Sequence, residues 1–354
     1  MNGRKTGLLH GIAALAAAWL VALPLAADAA PPYDAELIFT PTARYPSSHA
    51  STIIELANRD LLCAWYAGQQ EAARDVAVWY SRKAPGSSVW TRPAVLADDP
   101  QRPEGNPVLF EDPNGRLWLF YVTMYDEGTE EWDTCKVKCK WSDDKGQTWS
   151  PTLILRDELG WMTRNKPIVL DGGDWLLPIY DERVWTSSVM ISTDHGRTWS
   201  DSRDIVAPGE PGNIQPTLAQ LSDGSILALM RRGKPPERIW QARSHDRGRT
   251  WDTPTPTELP NPNAATDMVR LSNGHLVLAF NNVTDNRNVL TLAVSVDDGR
   301  TWAHKRDLEN EPYGEFSYPA IIQARDGTIH VTYTYNRRNI KHVALNEEWI
   351  PAGE

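Results

Sequence analysis

Apolar and polar residues alternate along most of this chain in short runs broken by polar turns, as in LSDGSILALM, LSNGHLVLAF and ARDGTIHVTYTY. A period of two marks half-buried strands. The turns fall at Asn58-Arg59, Asn114-Gly115, Asp171-Gly172, Asp223-Gly224, Asn273-Gly274 and Asp326-Gly327. Asn/Asp-Gly between alternating runs reads as a two-residue hairpin turn. Out of phase with these hairpins runs a second motif, S-x-D-x-G-x-T-W, at Ser142–Trp149, Ser192–Trp199, Ser244–Trp251 and Ser295–Trp302, with spacings of 50, 52 and 51 residues. Ser81–Trp90 is a degraded fifth copy that lacks the Asp.

A fixed period near 50 signals a repeat architecture. Each unit reads as a hairpin, a third strand ending in the Asp-turn (an Asp-box), and a fourth strand. Six such units predict an all-β, six-bladed β-propeller. The segment 35–40 precedes the first hairpin and has no blade of its own, so it is expected to complete the sixth blade and close the ring. In the Asp-turn, Asp194 and its equivalents are expected to accept backbone N–H bonds, Gly196 to supply a positive φ, and Thr198 and Trp199 to pack the turn onto its blade.

In a propeller the innermost strands run along the axis. Reading back about eight residues from each hairpin turn gives His49, Asn106, Lys166, Gln215, Asp267 and Tyr318, and Pro follows four of them. Proline there suits a strand start. Six polar side chains around one axis point to a binding site or a solvated channel.

Composition sharpens this picture. The 354 residues include 23 Gly and 26 Pro, which suits many turns and argues against a helical bundle. Trp, at 16, outnumbers Phe, at 5, and five of the Trp close Asp-turns. Residues 1–29 read as a cleavable export signal: Arg4 and Lys5, an apolar run Leu8–Leu25, then Ala27-Asp28-Ala29. Residues 30–354 would then form one propeller domain, periplasmic or secreted, with no membrane anchor after cleavage. The net charge of -10 disfavours nucleic acid as a partner. Cys135 and Cys139 lie four residues apart on one strand, too far for a mutual disulfide, so free thiols are expected, with a Cys63 bridge left open. No Cys/His spacing signals a zinc site and nothing calls for an organic cofactor.

The Asp-boxes and the six-blade count resemble the sialidase (neuraminidase) superfamily over essentially the whole mature chain. HAST…LLCAWYAG, NPVLF, NKPI, IQPT, LPNPN and EFSYPAII…DGTIHVTYT resemble bacterial sialidase-like BNR-repeat proteins more closely. The resemblance implies a secreted exo-glycosidase acting on a terminal acidic sugar of a glycan. Three arginines would hold the substrate carboxylate, a Tyr activated by a Glu would attack, and an Asp would serve as acid/base. Carried over, Arg231 and Arg287 match two of the arginines, Tyr318 the nucleophile and Asp75 the acid/base. Asn106, Arg164, Lys166 and Asp267 join them as substrate-binding candidates. Two positions depart from the family pattern. His49 stands where the first arginine is expected, with Arg44 five residues earlier, and Gln215 replaces the Glu. A Gln cannot take a phenol's proton; Glu315, Glu182 or His49 would have to. The departures leave open a hydrolase or lyase acting on uronic-acid polysaccharide, and a non-catalytic glycan-binding propeller.

Overall fold

The computed structural model describes residues 1–3, 33–42, 45–125, 132–209 and 212–351. Beyond its first three residues, the expected export signal lies outside these, and so does Arg44. Six antiparallel sheets form the blades of a ring. Their inner strands are Ser47–Glu55, Glu104–Glu111, the pair Trp161–Thr163 and Ile168–Val169, Ile214–Gln220, Asp267–Arg270 and Phe316–Gln323, numbered here as blades 1 to 6. Tyr33–Leu37 pairs with Asn339–Leu345 as the outer strand of blade 6, so the first strand of the chain closes the ring beside its last. This strand starts and ends earlier than the 35–40 expected from sequence.

The hairpin turns are longer than the two residues expected. In each of the six, a pair such as Asp112 and Arg116, or Leu170 and Asp174, brackets three loop residues. Only the third of these has a positive φ: Arg59, Gly115, Gly173, Gly224, Gly274 and Gly327. This is a type I turn followed by a left-handed residue. In blade 3 the left-handed place falls to Gly173, one residue beyond the Asp171-Gly172 dipeptide.

The Asp-boxes are closed hydrogen-bond rings. In the first, the Ser142 hydroxyl donates to Asp144 at 2.7 Å and accepts the Gly146 N–H at 2.7 Å. Asp144 also accepts the Thr148 N–H at 2.8 Å and its hydroxyl at 2.6 Å. The other three boxes repeat these bonds. The box glycine has a further task at Gly248, where φ is +84° and an added Cβ would lie 2.6 Å from Leu176 of the preceding blade. Gly299 repeats this against Leu227 at 2.5 Å, so at these two boxes the missing side chain lets the turn press against the neighbouring blade.

A second device joins the blades. The last inner-strand residue accepts the first turn N–H of the preceding blade: Glu111 from Ala57, Gln220 from Asp171, Gln323 from Ser272, and Glu55 from Arg325 across the closure. The two exceptions have causes. Pro113 has no N–H to give and faces a blade ending in Val169, while the Ser222 N–H turns to Asp298 instead. All three cysteines are buried and free.

Because strands alternate in direction, hairpin turns and Asp-boxes share one face of the ring. The loops between second and third strands, and those between blades, share the other.

Candidate active site

Four inner strands carry the same irregularity on the loop face. Pairing slips between His49 and Thr52, Gly105 and Val108, Ile214 and Thr217, and Ser317 and Ala320. Within each bulge one residue is left-handed: Ala50 (φ +55°), Asn106 (+44°), Gln215 (+58°) and Tyr318 (+52°). A bulge re-aims a side chain, and non-glycine residues held at positive φ cluster at functional sites. Pro107, Pro216 and Pro319 therefore sit inside bulges rather than at strand starts. The register also makes Ala50, not His49, the counterpart of Tyr318 in blade 1; His49 lies one position earlier.

Three of these bulge residues converge on a cavity of about 210 Å³ at the mouth of the axis, lined also by Arg231, Arg287, Arg337 and Glu182. The Tyr318 hydroxyl accepts the Arg231 Nη1–H at 2.8 Å and the Gln215 Nε2–H at 3.3 Å. Gln215 Oε1 in turn accepts from Arg231 at 3.2 Å, and both Gln215 and Asn106 donate to the Tyr180 hydroxyl at 3.2 Å. Burial pushes the Tyr318 phenol up, but the charges of Arg231 and Arg287 and the Gln215 amide outweigh it, so it is more acidic than an ordinary tyrosine. Its cavity neighbours go the other way. Burial, reinforced by Glu71, raises Tyr66, and burial, reinforced by Glu182, raises Tyr180. One phenol of three is thus set apart by charge.

The arginines differ in how they are held. Arg231 donates Nε–H to Asn263 Oδ1 at 2.5 Å and pairs with no carboxylate among the described residues. Arg287 donates to the Asn263 carbonyl at 2.9 Å and lies 3.6 Å from Glu315. Arg337 grips Glu315 at 2.9 Å and Glu71 at 2.5 Å. Sequence reasoning missed Arg337. Its signal was positional: like Arg231 and Arg287, it stands at the end of a second strand or in the loop from there to the third. Glu182 lines the same cavity, and burial raises its carboxyl despite the nearby Arg231.

The remaining candidates lie beneath or away from the cavity. His49 is 1 % exposed, bonds Thr334 through Nδ1 at 2.7 Å and packs against the Tyr318 ring at 4.2 Å. Burial, with the charges of Arg337, Arg287, Arg164 and Arg231, keeps its imidazole neutral. Arg164 plugs the axis below Tyr318. Its guanidinium donates to the Ser51 and Pro319 carbonyls at 3.2 and 2.9 Å and sits 5.1 Å from the Tyr318 ring. Lys166 pairs with Asp267 at 2.7 Å, deeper in the axis and outside the cavity lining. Asp75 is exposed on the loop beyond Tyr66. It accepts the Gln69 N–H at 3.1 and 3.2 Å and does not line the cavity, whereas Glu71 of the same loop does. Glu315 is held by Arg337, Arg287 and the Ser317 hydroxyl.

Known proteins resemble this chain in sequence and in shape. A sialidase of Paraclostridium sordellii is 25% identical over 233 residues, which cover 56% of this chain and 56% of that one. A sialidase of Micromonospora viridifaciens is 27% identical over 233 residues, covering 59% of this chain and 35% of that one. The chain therefore spans between about a third and about a half of these relatives' lengths. Among solved structures, the NanB sialidase of Streptococcus pneumoniae superposes with a TM-score of 0.76 at 14% identity, over 89% of this chain and 71% of that one. At that identity the likeness is one of fold. Residues 59–331, most of the chain, match the family described as BNR repeat-like domain. The chain belongs to this BNR-repeat family of the sialidase superfamily.

Proposed function

We propose that this protein is an exported, retaining exo-glycosidase that removes a terminal acidic sugar, sialic acid or a relative, with Tyr318 as nucleophile. The observation that carries this reading is the acidified Tyr318 phenol facing an arginine-lined cavity with room for a single sugar. Arg231, with Arg287 and Arg337 beside it, receives the substrate carboxylate, for which a guanidinium fork is the matching shape. Gln215 cannot act as the base. It donates to the phenolic oxygen instead, and with Arg231 it stabilises the phenolate once the proton has left to water. Tyr318 Oη then bonds the anomeric carbon as the glycosidic C–O bond breaks.

Glu182, whose carboxyl burial raises, gives its proton to the departing oxygen. It thus takes the part first expected of Asp75. Water next attacks the glycosyl-tyrosine, Glu182 recovers a proton from it, and the phenolate departs. His49, Arg164, Lys166 and Asp267 support the site from below without touching substrate.

The purified protein, a fluorogenic sialoside and a panel of acidic oligosaccharides test this reading. Release of the fluorophore is expected, falling to background in Tyr318→Phe and by about 10²–10⁴-fold in Glu182→Gln. Products bearing a new ultraviolet-absorbing double bond would show a lyase. Binding without turnover, which the Gln at position 215 would favour, would show a glycan-binding propeller.

A further inference from the structure

The largest cleft described lies on the opposite face, between blades 2 and 3, with a volume of about 700 Å³. Trp118, Trp141 and Trp199 line it, with Arg116, Asp143 and Arg197 at its edge. Its size falls in the range of small-molecule sites, about 300–1,000 Å³.

The repeat supplies an internal control. Trp118 and Trp141 face each other across neighbouring strands. The same cross-strand pair in the other blades is Leu62 with Arg82, Leu176 with Ile191, Leu227 with Arg243, Val277 with Val294, and His330 with Ala344. Five blades are built without an indole at either place, so the architecture does not require the two in blade 2.

The local chemistry indicates a ligand. The two rings lie 5.4 Å apart at 45°, and Trp141 and Trp199 are only partly buried. Leu153 and Ile154 on the adjoining outer strand are 50% and 48% exposed. The Arg116 guanidinium lies 5.4 Å from the Trp141 ring and is held in a fork by Asp143 at 2.7 and 3.2 Å. The charges of Arg116 and Arg197 are matched by those of Asp112 and Asp143.

We propose that this cleft binds neutral pyranose units of a glycan chain. The C–H face of the sugar would lie on Trp141, which is seated on the buried Trp118 (5% exposed), and its hydroxyls would bond to the Arg116–Asp143 pair and Arg197. A charge-balanced rim does not select an anion, and an amphipathic ring needs both an aromatic face and fixed polar groups. The cleft and the axial cavity lie on opposite faces, so binding here is independent of turnover there.

Isothermal titration of the full chain with cellohexaose, maltohexaose, mannohexaose and trigalacturonate tests the proposal. Saturable binding of at least one neutral hexamer is expected. It should weaken tenfold or more in Trp141→Ala and in Trp118→Leu, the latter installing the residue that three other blades carry at that position. Thermal midpoints within a few degrees of the parent show that both variants fold. Binding of no neutral hexamer, binding of trigalacturonate alone, or unchanged affinity in both folded variants overturns the proposal. Concentration-dependent dimerisation abolished by Trp141→Ala, without sugar binding, would assign the cleft to a second copy of this chain and overturn it as well.

Discussion

Lys166 and Asp267 were expected from the sequence to hold substrate, yet the structure makes them a knot on the axis. The Asp267 carboxylate accepts Lys166 Nζ at 2.7 Å, the Thr217 hydroxyl at 2.8 Å, the Ile321 N–H at 2.9 Å and the Met268 N–H at 3.0 Å. Those donors come from blades 3, 4, 5 and 6. The Asp267 side chain is 2% exposed and that of Lys166 20%, where it edges a channel open to the other face. Truncation in Asp267→Ala leaves a cation without its partner and the buried Ile321 N–H without an acceptor. Breaking such a buried pair costs about 3–5 kcal/mol. Access of Lys166 to water through the channel puts the expected loss near the lower end. With a slope of about 3 kcal/mol/M, the urea midpoint followed by Trp emission should fall by about 1 M or somewhat more. Lys166→Met should cost less, because the carboxylate keeps its other donors, and the double variant should be more stable than the sum of the single losses predicts. A midpoint shift under about 0.3 M in Asp267→Ala, together with lost glycan binding, would refute this reasoning and return both residues to the substrate site.

Two further predictions concern acids with shifted carboxyls, one buried and one partly exposed. Glu104 is 2% exposed, with one oxygen bonded to Thr123 and the other unpartnered, and burial pushes it up to about 7. Its folded-state value lies above its unfolded value, so it withdraws stability as pH rises from about 4.5 through 7; Glu104→Gln should therefore raise the urea midpoint at pH 8 and leave it unchanged at pH 4, and equal effects at both would contradict this. Glu36, on the closing strand, sits against burial but is drawn down to about 2 by His342, Lys83 and Trp90. Its stabilising contribution is complete above about 4.5 and is lost as pH falls towards 2, so Glu36→Gln should lower the midpoint at pH 6 and flatten the acid limb, whereas a parallel limb would contradict the assignment.

The repeat was legible because a turn must satisfy the same backbone groups each time it recurs. The Ser, Asp, Gly and Thr of each Asp-box are the four members of one hydrogen-bond ring, so their spacing cannot drift. The hairpins were placed correctly but misread in length, since Asn-Gly serves both a two-residue turn and a type I turn with a left-handed third residue. The bulges were half visible. Asn106, Gln215 and Tyr318 each precede Pro, but blade 1 has Ser51 there, and without that mark the register slipped by one onto His49. Arg337, Glu71 and Glu182 come from loops, where no periodicity fixes which side chain turns inward. The partnership of Lys166 with Asp267 was invisible because their positions are 101 residues apart and neither motif names the other.

Tyr318 as nucleophile is the centre of the account, and a mechanism-based fluorinated sialoside tests it most directly. Intact-mass spectrometry of the treated protein should show one added glycosyl unit, peptide mapping should place it on Tyr318, and Tyr318→Phe should stay unlabelled. Labelling of Glu182 or Glu71 in its place, or turnover of sialosides that persists in Tyr318→Phe, would contradict it.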